Sequence, residues 1–212
     1  MIGTSKDYFD ALGGDWDQLR ESFFSERVRD KALEAAAVEP GRVAADLGAG
    51  TGFVTQALVA RGVKVIAVDQ SQPMLEALRR KFPDPEAVDC RTGEAERLPI
   101  EDAATDYSFA NMFLHHVDDP PRAIREMARI VRPGGRVVIT DLDTHDHEFL
   151  STEQHDRWMG FARDDIRRWF RKAGLTDVRV DDLGESCCAT SCGGETASAG
   201  IFIATGVREQ LP

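Results

Sequence analysis

The chain has 212 residues and a mass of 23.4 kDa, the size of one ordinary α/β domain. Apolar residues make up 42% of it and charged residues 30%, which allows a substantial core and argues against extensive disorder. Lysine and arginine together number 26, and aspartate and glutamate 37, so the net charge is −11. A surface this negative repels phosphate groups, and direct binding to nucleic acid or to an anionic membrane is therefore not expected.

Neither membrane insertion nor export is indicated. No uncharged apolar stretch approaches the roughly 20 residues that a transmembrane helix needs. The N-terminal segment MIGTSKDYFD has no basic part followed by an apolar run, so no signal peptide is expected. The four cysteines, Cys90, Cys187, Cys188 and Cys192, are too few for a disulfide framework. The sequence therefore predicts a cytoplasmic protein with free thiols.

In chain order, the first predicted element is a helical region over residues 5–38, where apolar residues recur at helical spacing. Strands and helices then alternate. The strands of this alternation are predicted at 42–47, 64–68, 87–91, 105–113 and 136–141. The helices are predicted at 53–61, from an N-cap at Ser71 to about Lys81, and at 121–131. Such alternation is typical of a parallel sheet with helices on both faces.

The sequence becomes more polar after the fifth strand. Residues 144–154 are polar and rich in histidine, and a further helix is predicted at 164–173. Two more strands, at 177–182 and 201–205, are joined by a link rich in Cys, Ser, Thr and Gly that suits an antiparallel hairpin. The predicted α/β fold is therefore Rossmann-like: a doubly wound, seven-stranded, mostly parallel sheet with an antiparallel last strand and helices on both faces.

A glycine-rich loop, DLGAGTG at residues 46–52, follows the first strand and opens a helix. Its three glycines let the backbone turn sharply and approach a ligand where a Cβ would clash. The dinucleotide pattern Gly-x-Gly-x-x-Gly/Ala is not met, because Phe53 stands where its last small residue belongs. A third glycine two residues after the second, with an acid before the first, fits S-adenosylmethionine better than NAD.

Acidic residues follow the next two strands. Asp69 lies about twenty residues beyond the loop, where a carboxylate can accept both hydroxyls of a ribose. The alternative for Asp69 is an ordinary acid in a surface turn. After the third strand, Glu94 stands beside the small residue Ala95, where a carboxylate can accept the adenine amino group. Taken alone, Glu94 would be an exposed acid without a function.

Five segments in order carry a resemblance to a known family: VAADLGAGTG at 43–52, VDQS at 68–71, GEA at 93–95, LHHV at 114–117 and VRPGG at 131–135. They resemble class I S-adenosylmethionine-dependent methyltransferases of the ubiquinone- and menaquinone-biosynthesis-like branch. One departure is Glu94, where the family more often has aspartate; the longer side chain still permits the hydrogen bond to adenine.

The resemblance implies a cofactor site at the sheet edge. The cofactor-binding residues that it implies are Asp46, Gly48, Ala49, Gly50, Gly52, Asp69, Gln70, Met74, Gly93, Glu94, Ala95, Asn111 and His116. Within this set the loop holds the methionyl part, Asp69 and Gln70 hold the ribose, and Met74, Glu94 and Ala95 hold the adenine, with Asn111 and His116 near the methyl group. One domain is expected over 1–212, with a helical cover (1–40), a cofactor-binding half (41–141) and a substrate-side half (142–212).

The residues that would choose the methyl acceptor are less clear. The Pro-Pro-aromatic motif of methyltransferases acting on amide or adenine amino groups is absent after the fourth strand, which makes that chemistry less favoured. The candidates on the substrate side are His116, Asp141, His145, His147, Cys187 and Cys188. The histidines are equally well explained as part of a solvated loop, and the cysteines as small apolar packing. Thiolate and imidazole could together bind a soft metal or metalloid, but the spacing is not that of a zinc finger, and no residue is assigned to a metal.

Three functions follow from these observations. The leading one is transfer of a methyl group from S-adenosylmethionine to a small molecule: a thiol, metalloid or corrinoid-related acceptor, to which a looser resemblance of 145–161 points, or a small aromatic or quinone-like one. The second is modification of tRNA or a translation factor together with a small zinc-binding activator protein. The third is a catalytically silent module that binds S-adenosylmethionine without turnover.

Overall fold

The computed structural model describes residues 5–209. Residues 1–4, which belong to the segment considered for a signal peptide, and residues 210–212 lie outside this part. None of the helices within the described range combines the length and apolar character needed to cross a bilayer.

The strands described form one seven-stranded sheet in the order β3-β2-β1-β4-β5-β7-β6. They are β1 (Val43–Leu47), β2 (Lys64–Asp69), β3 (Val88–Thr92), β4 (Thr105–Asn111), β5 (Val131–Leu142), β6 (Leu175–Thr190) and β7 (Thr196–Arg208). The first five strands pair in parallel, and β7 runs antiparallel to both of its neighbours, β5 and β6. This confirms the predicted sheet, including its antiparallel last strand.

Helices cover both faces of the sheet, as the alternation of elements predicted. They are α1 (Ser5–Leu12), α2 (Trp16–Arg20), α3 (Arg27–Ala35), α4 (Phe53–Ala60), α5 (Gln72–Lys81), α6 (Pro120–Ile130), α7 (Glu148–Glu153) and α8 (Arg163–Lys172). The apolar residues of α3, α4 and α5 pack together on one face, and those of α6 and α8 pack on the other. Both cores are therefore closed by helices, and the open edge at the carboxyl ends of the strands is left for a ligand.

The glycine-rich loop leaves the sheet at its topological switch point. Strand β1 lies between β2 and β4, and its last four residues are buried. The chain winds from β1 toward β2 and β3 on one side and toward β4 and β5 on the other. In open α/β sheets a crevice forms at this point, outside the carboxyl ends of the strands.

The predicted cap of α5 is confirmed. Ser71 adopts an extended backbone conformation, and its Oγ accepts from the backbone N–H of Met74 (3.4 Å). A second cap begins α6, where the Asp119 carboxylate accepts from the N–H of Arg122 (3.0 Å). Both caps lie directly after loops at the carboxyl edge of the sheet, so they determine where these loops end.

Several parts of the chain differ from the predicted elements. Strand β4 ends at Asn111 although it was predicted to run to 113, and β5 begins at Val131 although it was predicted from 136. The helical region at 5–38 is broken into α1, α2 and α3, with a 3₁₀ turn at Gly13–Asp15 where Gly13 has a positive φ of 47°. The polar segment 144–154 contains the short helix α7. The strands predicted at 177–182 and 201–205 extend into a long hairpin, because the small residues of the link continue the ladder, as in the pair Cys187↔Ala199.

Candidate active site

The glycine loop is held in a conformation that other residues adopt only with strain. Gly48 and Gly52 have φ values of +64° and +98°, in the left-handed region. A Cβ at Gly48 would also overlap the ring of Phe113, and one at Gly52 would overlap the side chain of Leu78. The loop is therefore both turned and closely packed, as its sequence predicted.

Asp69, at the end of β2, ties this loop to the next one. Its Oδ2 accepts from the backbone N–H of Gly50 and its Oδ1 from that of Ser71, both at 2.8 Å. Burial raises the pKa of Asp69 above its ordinary value, against the effect of these hydrogen bonds. The backbone N–H of Gln70 is a third donor to this carboxylate, and because a carboxylate has about four acceptor positions, Asp69 retains room for a ribose hydroxyl.

Two adjoining cavities lie along the carboxyl edge of the sheet, and they share Gly48, Asp69, Gln70 and His116 among their lining residues. Together they are lined by every predicted cofactor-binding residue except Gly52: Asp46, Gly48, Ala49, Gly50, Asp69, Gln70, Met74, Asn111 and His116 in the first, and Gly93, Glu94 and Ala95 in the second. Gly52 is buried instead at the start of α4. The structure thus brings the predicted set together along one crevice.

Asp46 supplies a buried carboxylate to the first cavity. Its Oδ2 accepts from the backbone N–H (2.9 Å) and the Oγ1 (2.7 Å) of Thr55. Burial raises the pKa of Asp46 from 3.8 to about 7, and the charge of Asp69 adds to this, while the hydrogen bonds from Thr55 oppose it. The carboxyl group is therefore poised to ionise when a positively charged ligand binds beside it.

This raised pKa predicts how stability depends on pH. The folded state holds the Asp46 proton more tightly than the unfolded chain, so between about pH 4 and pH 7 the contribution of Asp46 to the free energy of unfolding falls as the pH rises. We expect Asp46→Asn to remove this fall, which amounts to at most about 4 kcal/mol. Urea unfolding at about pH 5 and about pH 8 measures the change in the free energy of unfolding between these two pH values. An equal decrease in the wild type and in Asp46→Asn would contradict the prediction. Asp164→Asn, at an exposed position, is the control.

A third cavity lies next to the first and is mostly apolar. Its apolar walls come from the N-terminal helices and from strand ends: Phe9, Trp16, Phe23, Phe24, Met112, Leu142, Leu150 and Ala189. Its polar residues are Tyr8, His115, His116, Gln154, Asp156 and Cys187. His116 lines this cavity and both cofactor-side cavities, so it stands where the three meet. We refer to the third cavity as the acceptor cavity.

A buried polar cluster forms one end of the acceptor cavity. Asp141, which is fully buried at the end of β5, accepts from His115 Nδ1 at 2.7 Å. The same carboxylate accepts from the backbone N–H groups of Phe113 (3.2 Å), Leu114 (2.8 Å) and Leu142 (2.8 Å). Asp141 is therefore rigidly held, and it orients the His115 ring.

Asp156 completes this cluster. Its Oδ1 lies 3.8 Å from His115 Nε2 and 3.9 Å from His116 Nδ1. Burial raises the pKa of Asp156 to about 6. Burial lowers the pKa of His115, but the charges of Asp141 and Asp156 outweigh it and raise the pKa to about 9. Burial, with the charge of His115, keeps the pKa of His116 well below its ordinary value.

Sequence reasoning selected His116 and Asp141 but missed His115 and Asp156. The signal for His115 was available, because it belongs to the LHHV segment at 114–117. Nothing in the sequence distinguishes Asp156 from the other acids of its polar segment. It reaches the cluster only because the backbone after α7 turns back, with the N–H of Arg157 donating to the carbonyl of His115 (3.0 Å).

His145 and His147 lie together in the loop after β5. Their rings stack with centroids 5.5 Å apart, and His145 Nδ1 accepts from the N–H of His147 (3.4 Å). His145 Nε2 is buried and has no hydrogen-bond partner among the residues that the structure describes. Neither histidine lines the three cavities. Burial lowers the pKa of His145, and the charges of His147 and His115 add to this, so His145 lies near the cluster without entering the cavities.

The cysteines do not converge. Cys187 and Cys188 are neighbours in β6 and face opposite sides of the strand. Cys187 lines the acceptor cavity, where burial raises the pKa of its thiol to about 12 and keeps it protonated. Cys188 and Cys192 are exposed. Within residues 5–209, no cluster of three possible ligands includes a cysteine, so the combined His and Cys site considered from the sequence is not formed.

Comparisons with known proteins show which family this chain is similar to. Residues 45–139 match the family described as methyltransferase domain. The rice (Oryza sativa subsp. japonica) chloroplastic 2-methyl-6-phytyl-1,4-hydroquinone methyltransferase 1 is 33% identical over 170 residues, which are 78% of this chain and 51% of that protein. The chain spans about half the length, or less, of the curated relatives that it matches.

Two solved structures show the same fold. One is a chain of the complex between the Haloferax volcanii Trm112 methyltransferase activator and a methyltransferase, with a TM-score of 0.77 and 20% identity over 99% of this chain and 100% of that chain. The other is Haemonchus contortus phosphoethanolamine N-methyltransferase 2 in complex with S-adenosylmethionine, with a TM-score of 0.70 and 19% identity over 86% of this chain and 52% of that chain. Residues 45–139 therefore match a methyltransferase domain, and the chain has the fold of these two methyltransferase structures.

Proposed function

We propose that this protein transfers a methyl group from S-adenosylmethionine to a small, largely apolar molecule bound in the acceptor cavity. The observation that carries the proposal is the position of His116, which lines both cofactor-side cavities and the acceptor cavity. A cofactor in the crevice and an acceptor among the aromatic residues would meet at this side chain. Such juxtaposition is the main requirement of methyl transfer from an activated donor.

Two features of the crevice fit the cofactor. A Cβ at Gly48 would overlap the ring of Phe113, which lines both cofactor-side cavities, so only glycine keeps that ring clear of the crevice. The carboxylates of Asp46 and Asp69 face the first cavity, which suits the positive charge and the ribose hydroxyls of S-adenosylmethionine. The Haemonchus protein of the same fold holds this cofactor. When bound, it supplies a methyl group already activated by a sulfonium.

The other cofactor contacts follow from the lining residues. We propose that Ala49, Gly50 and Gly52 shape the methionyl site and that Gln70 assists Asp69 at the ribose. Met74, Gly93, Glu94 and Ala95 would hold the adenine, with Asn111 and His116 near the methyl group. The helical cover is part of the proposal, because Phe9 and Trp16 line both the first cavity and the acceptor cavity and would exclude water from the reacting atoms.

The acceptor cavity suits an aromatic or quinol-like molecule. Its walls are mainly apolar, whereas His115 and Asp156, with Nε2 and Oδ1 3.8 Å apart, form a polar pair in its lining. A flat apolar body with one hydroxyl or thiol would match this division. The rice relative, named for a hydroquinone substrate, supports the same class. A cytoplasmic location is also proposed, which the free cysteines support.

The direct test is transfer of a labelled methyl group to a panel of phenols, hydroquinones and thiols. We expect turnover with one class, and Ala189→Phe, which fills the acceptor cavity, should lower kcat/KM for the acceptor at least about 10-fold. Its affinity for S-adenosylmethionine should stay within about twofold of the wild type, because Ala189 lines only the acceptor cavity. Thr190→Phe, at the next and exposed position of β6, is the matched control. Equal kinetics in the wild type and Ala189→Phe would contradict the assigned cavity.

An activator-dependent enzyme acting on tRNA or a translation factor is the competing proposal. The Haloferax structure favours it, since that fold was solved with the Trm112 methyltransferase activator. Here the protein should show no turnover of the panel alone but gain solubility and activity when coexpressed with a small zinc-binding activator. A silent binding module would bind S-adenosylmethionine and show no turnover under either condition.

A further inference from the structure

Three side chains at the buried end of the acceptor cavity are arranged like metal ligands. One atom each from His115, His116 and Asp156 lies within 4.8 Å of the other two. The distances from Asp156 Oδ1 to His115 Nε2 and His116 Nδ1 are 3.8 and 3.9 Å. Ligands of one tetrahedral ion, with bonds of about 2.0–2.2 Å, stand about 3.3–3.5 Å apart, so each distance needs to shorten by about half an ångström.

The hydrogen bonds around the cluster prepare these atoms for an ion. His115 uses Nδ1 to donate to Asp141, which turns Nε2 toward Asp156, and an ion would displace the proton that Nε2 carries while the pKa of His115 is about 9. A carboxylate that holds the far nitrogen of a histidine in this way is the usual outer partner of a metal-bound histidine. Asp141 is itself fixed by backbone N–H donors, so the ring of His115 is oriented before any ligand arrives.

Asp156 supplies an independent observation. Its side chain is only 5% exposed, and its Oδ1 lies 3.8 Å from His115 Nε2 and 3.9 Å from His116 Nδ1, which is beyond hydrogen-bond distance. A carboxylate with so little exposure is stabilised when a cation binds it directly. The contact of His116 Nδ1 with the carbonyl of His155 is long, at 3.4 Å, and is easily exchanged for a bond to an ion.

We propose that His115, His116 and Asp156 bind one divalent transition-metal ion of the Zn²⁺ class, with an open position facing the acceptor cavity. Two imidazole nitrogens and one carboxylate oxygen form a ligand set that such ions favour. The charges of Asp141 and Asp156 balance the ion in this buried place. The sequence alone assigned no metal site, since His115 and Asp156 did not stand out in it.

The role of the ion rests on the proposed function. An acceptor hydroxyl or thiol would occupy the open position and release its proton to solvent water, because a bound ion lowers the pKa of such a group. The lone pair of the oxygen or sulfur then forms the bond to the methyl carbon. The bond between that carbon and the cofactor sulfur breaks, and its electrons remain on the sulfur. The ion thus selects acceptors that can bind as oxygen or sulfur anions.

Titration of the metal-free protein with Zn²⁺, and with Co²⁺ followed by its visible absorption, tests the site without cofactor or acceptor. We expect one equivalent per chain, and at least about 10-fold weaker binding in Asp156→Asn and in His116→Asn. His147→Asn removes a histidine outside the cavities and should bind like the wild type. Thermal unfolding verifies that each variant is folded, and His116→Asn carries the test if Asp156→Asn does not fold.

Two outcomes overturn the inference. One is that the wild type binds neither ion, or binds it no more tightly than Asp156→Asn and His116→Asn do. The other is that methyl transfer needs Asp156 but proceeds unchanged in protein stripped of metal, in which case Asp156 acts as a proton acceptor. Binding of S-adenosylmethionine is measured separately, so loss of the metal inference leaves the proposed function standing.

Discussion

Replacing Asp69 with alanine is expected to weaken the binding of S-adenosylmethionine by at least about 100-fold. The carboxylate accepts from the N–H groups of Gly50 and Ser71 and thereby joins the two loops that bound the crevice. A hydrogen bond to a charged group contributes about 1.5–3 kcal/mol, and Asp69→Ala removes two of them together with the proposed ribose contacts. Each 1.4 kcal/mol corresponds to a factor of ten in affinity.

Calorimetric titration of the wild type and Asp69→Ala with S-adenosylhomocysteine measures this effect. Asp164→Ala is the control, because its side chain is 88% exposed at the start of α8, away from the crevice. Thermal unfolding separates loss of binding from loss of the fold. Tight and equal binding by the wild type and Asp69→Ala would remove Asp69 from the cofactor site.

Gly48→Ala is expected to abolish cofactor binding while leaving a folded protein. The new Cβ overlaps the ring of Phe113, and that ring lines both cofactor-side cavities, so it must move within the space that the cofactor needs. The positive φ of Gly48 adds a backbone penalty of roughly 1–2 kcal/mol. Binding is therefore lost by displacement of Phe113, and stability falls by a smaller amount.

Gly174→Ala separates these two effects. Gly174 also has a positive φ, of 81°, but a Cβ there would meet nothing within 4 Å. Both substitutions should lower the free energy of unfolding through backbone strain, whereas only Gly48→Ala should lose the cofactor. Adding Phe113→Ala to Gly48→Ala should restore part of the binding. Unchanged affinity in Gly48→Ala would show that the loop does not approach the cofactor.

The cofactor side of the molecule was predictable because its determinants are local. The glycine loop, the acid at the end of β2 and the cap at Ser71 each follow a strand directly, and parallel strands bring their carboxyl ends to one edge. Short-range patterns of turn and cap residues therefore predicted the fold, the glycine loop and Asp69, whereas the family resemblance implied other lining residues such as Met74, Asn111 and His116. The hairpin of β6 and β7 was predicted but its length was not, because the small polar residues of the link resemble those of a loop.

The acceptor side could not be predicted in the same way. His115, Asp141 and Asp156 are far apart in the sequence and meet only through packing of the loops after β4 and β5. The cysteines are adjacent in the sequence, yet the alternation of side chains along a strand sends Cys187 and Cys188 to opposite faces. Sequence proximity therefore suggested a cluster of cysteines and histidines that the described residues do not form. It gave no indication of the cluster of His115, Asp141 and Asp156.

The most direct measurement is a crystal structure of the protein grown with equimolar S-adenosylhomocysteine and NAD. We predict the thioether product in the crevice, its ribose on Asp69, its adenine beside Glu94 and its sulfur toward His116, with no NAD bound. A pyrophosphate of NAD across Gly48 and Gly50, with S-adenosylhomocysteine absent, would contradict the methyl-donor site.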